Sequence, residues 1–321
     1  MKVNKILIVL GEPQSTFTEI LFKYFKSKES SKNKKKIILI GSKNLFHEQM
    51  KKLKFNLKLN SIKNLQKAQI NKINILNVNY NKKKIFSKIS SGSSKYISNC
   101  FKIAFELIKK DKKIVLINGP VSKKHFLKNK YLGVTEYISK KIKSKNQVMM
   151  IYNERLSVSP ITTHLPLKHV TKNITKEKII NNVKQIKRFY KNFLNKIPKI
   201  AILGLNPHCE TIDKFSEEKR IIVPAIKFLK KINLNVNGPF PADTFFLKKN
   251  IDKYDVVIGM YHDQVLTPIK TLYNFNAINI TLGLPFLRIS PDHGPNNYMV
   301  GKNKSDPSSI FCAMKFIKKI K

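Results

Sequence analysis

An α/β fold with at least part of its sheet parallel is what this sequence predicts, on three observations. Short β-rich runs alternate with longer stretches of helical periodicity along the 321-residue chain. Glycine and proline, only 11 and 14 in number, gather in loops that follow predicted strands. No G-x-G-x-x-G follows the first strand, where LGEPQSTFTE stands instead, so a Rossmann dinucleotide site is not indicated.

The elements follow in order. Strands are predicted at 5–10 (KILIVL), 36–40 (KIILI), 72–78 (KINILNV), 113–118 (KIVLIN), 147–152 (QVMMIY), 199–204 (KIAILG), 254–260 (YDVVIGM) and 276–282 (NAINITL). Each is short and rich in Ile, Val or Leu. A helix is predicted over 94–110, where Ile97, Phe101, Ala104, Phe105 and Ile108 recur at helical spacing. The segments 176–194, 218–232 and 306–320 read the same way, the last with Asp306 as an N-cap and Pro307 in the first turn. Gly and Pro concentrate at 118–123 (NGPVSK), 204–208 (GLNPH), 237–243 (NGPFPAD), 282–285 (LGLP) and 290–295 (SPDHGP). In open α/β sheets the loops at the carboxyl ends of strands are where ligands bind, and the polar groups of this chain sit in those loops.

Composition narrows the function classes. The longest apolar runs fall far short of the roughly 18 residues that would span a membrane. The N-terminus is basic then apolar, as in a signal peptide, but the run is short and no small-residue cleavage site follows, so a buried first strand is expected. Three scattered cysteines, Cys100, Cys209 and Cys312, point to a reducing, cytoplasmic setting without a disulfide framework. The net charge of +44 invites a nucleic-acid reading. However, Arg occurs only at 155, 188, 220 and 288, so 59 of the 63 basic residues are Lys, spread along the whole chain. Nucleic-acid surfaces favour the Arg fork. The lysines are therefore read as solvated faces that would still attract an anionic small substrate.

Candidate chemistry centres on histidines. His164 (TTHLPL), His208 (GLNPH) and His262 (YHDQ) each lie at or just past a predicted strand, whereas His47 and His125 lie in lysine-rich surface text. Three imidazoles from three loops could bind a divalent ion with one open position. The spacing equally fits histidines that each satisfy their own loop. Asp263 adjoins His262, and Asp243 lies in FPADTFF; a carboxylate beside a ligating histidine orients its ring, although Asp243 also fits a helix N-cap. Lys270, Asn279 and Arg288 form a second group, and an Arg in a lysine-dominated chain suits phosphate or carboxylate, or a structural ion pair. Neither a Walker A loop nor a G-x-S-x-G elbow occurs, and Cys209 is read as a packed thiol.

The runs NGPVSK, GVTEY, TTHLPL, GLNPH, GPFPADTFF, YHDQVLTPIK, NITLGLPFLRISPDHG and DPSS resemble, in this order, the 4-hydroxythreonine-4-phosphate dehydrogenase family. The resemblance runs from about residue 114 to the C-terminus; the first hundred residues fit loosely. It implies two α/β/α domains around a central cleft, like isocitrate and isopropylmalate dehydrogenases, with a non-Rossmann cofactor site. It implies oxidation of 4-phosphooxy-threonine with NAD or NADP in pyridoxal 5'-phosphate (vitamin B6) biosynthesis. It also implies a homodimer with shared active sites and one divalent metal ion per site (Zn, Mg or Co), held by histidines of both subunits. Carried over by motif, His164, His208 and His262 match metal ligands, and Thr135, Lys270, Asn279 and Arg288 match substrate-binding positions. Lys270, Asp243 and Asp263 are the candidate catalytic residues; no cofactor-binding residue is assigned. By analogy, residues 1–127 with 294–321 form a cofactor-side domain, and 128–293 form the metal, substrate and dimer domain.

The chain also departs from the family pattern. A loop like GDPAGIGPE in the family reads GEPQSTFTE here, which keeps Gly11, Pro13 and Glu19 but loses later glycines. Val134 stands where the family has a substrate-binding imidazole, and Tyr298 where it has an Asp. Two other readings stay open on these grounds: a paralogous dehydrogenase and decarboxylase of a related phosphorylated hydroxy acid, and a basic nucleic-acid-binding protein on an enzyme scaffold.

Overall fold

The structure, a computed structural model, describes residues 3–81, 84–128, 130–210, 212–274, 276–291 and 294–320. Asp292 and His293 of the SPDHGP run lie outside the described residues. The chain divides into two compact units, 1–144 with 284–321 and 145–283.

The first unit is an α/β unit on a parallel sheet. Its strands are β1 (Lys5–Val9), β2 (Lys36–Gly41), β3 (Leu59–Ile62), β4 (Ile73–Asn77), β5 (Ile114–Asn118) and β12 (Leu287–Pro291), in the order β3-β4-β2-β1-β5-β12. Every pairing among them is parallel. The central strands are apolar end to end: Ile6, Leu7, Ile8 and Val9 are fully buried, as are Ile114 to Ile117. That is the pattern of strands covered on both faces. The predicted helix over 94–110 appears as Ser94–Lys110, with Ile97, Phe101 and Ala104 fully buried.

The second unit carries β6 (Val148–Tyr152), β7 (Ser157–Pro160), β8 (Ile200–Leu203), β9 (Val236–Phe240), β10 (Val256–Gly259) and β11 (Ile278–Leu282). Their order is β11-β6-β7-β10-β8-β9. The run β7-β10-β8-β9 is parallel, while β6 is antiparallel to both its neighbours. Among the described residues no helix is long and apolar enough to cross a membrane.

All eight predicted strands form, and the α/β expectation holds in both units. Four strands escape the sequence: β3 (LNSI), β7 (SVSP), β9 (VNGPF) and β12 (LRISP). Their Asn, Ser, Gly and Pro disfavour strands locally, and it is pairing with neighbours that makes them. Both β3 and β9 are last in their unit's order, where a proline such as Pro239 costs no ladder bond.

The unit boundaries differ from those expected near 127 and 294. The helix Val134–Lys141 buries Tyr137 and Ile138 in one cluster with Phe101 and Ile97, so packing assigns it to the first unit. The Phe101 and Tyr137 rings meet edge to face at 5.5 Å. Residues 287–289 pair with 115–117 of β5, which draws that strand into the first unit too.

The loop after β1 is packed with its own side chains. Residues 10–22 are buried throughout. Gly11 has φ +73°, and a Cβ there would lie 2.6 Å from the Pro120 carbonyl oxygen, so only glycine fits. Ser15 Oγ donates to the Glu12 carbonyl (2.8 Å), and Gln14 Oε1 accepts from Ser87 N (2.7 Å). The Glu12 carboxylate accepts from Gln14 N (3.2 Å) and Ser93 Oγ (3.0 Å). Burial pushes its carboxyl above the ordinary value of 4.5, and these two hydrogen bonds offset part of that rise. A carboxyl raised on folding stabilises fully below its unfolded value and loses that contribution as pH rises through the folded one. Glu12→Gln should therefore gain stability relative to wild type as pH climbs from about 4.5. Urea unfolding across that range checks it; a variant-to-wild-type difference that does not change with pH would refute it.

Candidate active site

Three parallel strands, far apart in sequence, bring the candidate histidines to one edge of a sheet. β7, β10 and β8 are adjacent in that order, and each ends at the same side. His164 follows β7, His262 follows β10 and His208 follows β8. Asp243 follows β9, the next strand along. Neighbouring strands lie about 4.8 Å apart, so His262 stands in the middle with a histidine loop on either side.

Side-chain geometry divides the set into pairs. The His164 and His262 rings lie 5.9 Å apart between centroids. His208 Nδ1 lies 3.9 Å from Asp243 Oδ2, with both side chains mostly exposed. Among the described residues of this single chain, no group of three or more His, Cys, Asp or Glu side chains is gathered closely enough to hold a metal ion. His262 Nδ1 sits 2.7 Å from Asp263 Oδ1. That contact makes Nδ1 the protonated nitrogen and leaves the Nε2 lone pair for a ligand. Asp243 does not cap its short helix, Ala242–Phe245; Pro241 occupies the cap, and Asp243 Oδ1 accepts from Thr244 N (2.8 Å). Cys209 is half-buried and burial raises its thiol, in keeping with a packed cysteine.

The backbone around the histidines is held by groups the sequence reading gave no role. Thr162 Oγ1 donates to the Met260 carbonyl (2.8 Å), which ties the His164 loop to the end of β10. Gln264, largely buried, accepts from Met260 N (2.7 Å) and donates to the Gly204 carbonyl (2.8 Å). Glu218 accepts from Leu205 N (2.7 Å), Asn206 N (2.8 Å) and Asn206 Nδ2 (2.8 Å). No spacing signal marks either residue. Gln264 is overshadowed by the neighbouring His262 and Asp263, and Glu218 only opens the predicted helix 218–232.

The substrate candidates fall in two places. In the first unit Arg288 is fully buried on β12. Its Nε donates to Asn118 Oδ1 (2.8 Å) and its Nη1 to Thr135 Oγ1 (3.1 Å). Burial lowers the guanidinium to about 10, and the Glu136 charge pulls it back up, so it stays cationic at neutral pH. Arg288 thus binds two neutral oxygens, one of them on a predicted substrate residue. Val134, next to Thr135, packs against the apolar cluster of that unit.

In the second unit Lys270 is exposed on the helix His262–Tyr273. Eight residues at 1.5 Å each put it about 12 Å along the axis from His262. Asn279 lies in β11 level with Ile151 of β6, and its Oδ1 is buried without a hydrogen-bond partner.

The comparisons with known proteins show the family and the fold. The chain matches, over residues 33–317, a family model described as Pyridoxal phosphate biosynthetic protein PdxA. It is 37% identical over 317 residues to a 4-hydroxythreonine-4-phosphate dehydrogenase of Sulfurihydrogenibium sp. (strain YO3AOP1), covering 97% of this chain and 96% of that one. The crystal structure of a 4-hydroxythreonine-4-phosphate dehydrogenase from Klebsiella pneumoniae superposes with a TM-score of 0.85 at 25% identity, over 98% of each chain. An isocitrate dehydrogenase from Methylococcus capsulatus shares the fold at a TM-score of 0.50 and 8% identity, over 98% of this chain and 85% of that one. The similarity therefore reaches well before residue 114, into the segment where motifs alone fit loosely.

Proposed function

The chain belongs to the pyridoxal phosphate biosynthetic protein PdxA family, and from that premise we propose that it oxidises 4-phosphooxy-L-threonine with NAD or NADP. The product, 2-amino-3-oxo-4-phosphooxybutanoate, then loses CO₂ to give 3-amino-2-oxopropyl phosphate. The observation that carries this reading is the convergence of His164, His262 and His208 on one sheet edge, with the first two rings 5.9 Å apart.

The residues present suit a divalent ion. Imidazole donors fit Zn²⁺ and Co²⁺ well and Mg²⁺ less well. Such an ion, when bound, supplies Lewis acidity to the substrate hydroxyl and to the ketone it becomes, while the nicotinamide takes the hydride. Asp263 fixes the His262 tautomer. Asp243 stands beside His208 as a carboxylate that can orient it. Lys270 and Asn279 in the second unit, and Arg288 with Thr135 held against it in the first, are the proposed substrate-binding residues.

The reading includes a homodimer with shared sites, as the family resemblance implies. The exposed Leu167, Ile212 and Phe215 of the second unit are apolar surface that such an interface would cover. The metal ligands carried by the second unit, a cofactor-side role for the first unit and a cytoplasmic location belong to the same proposal.

Purified protein with 4-phosphooxy-L-threonine, NAD or NADP, and a series of Zn²⁺, Co²⁺ and Mg²⁺ tests it, and no reduced nicotinamide with either cofactor and any metal would sink it. The apolar seat of Val134 favours a second reading, a related phosphorylated hydroxy acid as substrate. Val134→His should lower KM for 4-phosphooxy-L-threonine about fivefold, the worth of one hydrogen bond. An unchanged KM, with faster turnover of a related acid by the wild type, would favour the second reading.

A further inference from the structure

We infer that Glu218 and Gln264 are positioning residues that fix the loops presenting His208 and His262, and so how tightly a divalent cation is held. The inference rests on the cation site proposed above.

The β8–β10 ladder pairs Ile202 with Ile258 and goes no further. Two residues beyond each partner lie Gly204 and Met260. Gln264 bridges these two, with Nε2 to the Gly204 carbonyl and Oε1 to Met260 N, so a side-chain amide takes the place of the next backbone pair. A Cβ at Gly259 would come within 2.9 Å of Gln264 Oε1 and 2.5 Å of Val265 Cγ1, so the amide is tightly enclosed. The link leads from Met260, two residues before His262, to Gly204, four residues before His208.

Glu218 secures the far side of the same loop. Its carboxylate is 1% exposed and takes three N–H donors from two consecutive residues, Leu205 and Asn206. A buried carboxylate is costly in a helix-packing position unless it is well hydrogen-bonded. Here its bonds go to the turn that presents His208, a residue with φ +53°. Thr162 joins Met260 from the other side, so all three histidine loops connect through Met260 and Gln264.

The test is titration of the full-length protein with Co²⁺ and Zn²⁺ by calorimetry, alongside thermal unfolding and separate kcat and KM. Glu218→Ala and Gln264→Met should each weaken cation binding by about 10- to 100-fold, the range for residues that orient metal ligands. Glu218→Gln keeps an acceptor for both backbone donors and loses only the Asn206 Nδ2 bond, so its affinity should fall less than that of Glu218→Ala. Saturating Co²⁺ should restore most of the kcat lost in the two damaging variants. Folded variants with wild-type affinity, or a lowered melting temperature with no change in affinity, would overturn the inference. Wild-type protein that binds neither cation would overturn the metal site itself, and the inference with it. If Glu218→Ala does not fold, Gln264→Met, which preserves side-chain length, decides the matter.

Discussion

Replacing His262 with alanine is expected to abolish divalent-cation binding and to lower kcat by about 1000-fold, while the protein stays folded. The size follows from the several kcal/mol that a Lewis acid contributes to the transition state, at about 1.4 kcal/mol for each factor of ten. The fold should survive because the His262 side chain is one-third exposed and its ring hydrogen bond goes to the exposed Asp263. Its loss leaves no large cavity, so stability should shift by no more than about 1 kcal/mol. Metal content after dialysis, circular dichroism and initial rates check the three parts separately. Undiminished activity in a folded His262→Ala protein would remove this residue from the metal site.

The second large effect is expected at Arg288. Arg288→Lys should cost about 2 kcal/mol of stability and lower kcat/KM by about 100-fold. Arg288 is fully buried, and its Nε and Nη1 serve Asn118 and Thr135 at once. A lysine offers a single nitrogen at the end of a flexible stem and cannot reproduce that fork. A buried acceptor then loses its donor, at about 1–3 kcal/mol. Thr135, released from Arg288, also loses its fixed place as a substrate contact. Denaturant unfolding reads the first cost and steady-state kinetics the second. A destabilised variant with unchanged kcat/KM would make Arg288 a purely structural residue.

These two residues also show what local sequence can reveal. Arg288 stands out against 59 lysines, and His262 against the Asp and Gln beside it, because rare residue types in a monotonous chain are visible without any structure. Their partners were not visible. Asn118 lies 170 residues from Arg288, and Gly204 lies 60 residues from Gln264, so no spacing rule links them. Glu218 only opens the predicted helix 218–232 in the sequence, and burial is what distinguishes it. Likewise the loop after β1 showed its missing glycines but not that Gln14, Ser15 and Thr16 would fill the space.

By itself the sequence determined the α/β class, the eight apolar strands and the long amphipathic helices, because periodicity and β-branched runs are local properties of the chain. It also marked the loops carrying His208 and Asp243, since scarce Gly and Pro set them apart. Only the tertiary structure decided the four polar strands, the unit boundaries at 144 and 283, and the order β7-β10-β8 that places three histidines on one edge. The physical reason is the same in each case. Strand pairing joins residues up to 172 positions apart, as Leu287 is from Val115, and the energy that decides between arrangements lies in those contacts rather than in local preference.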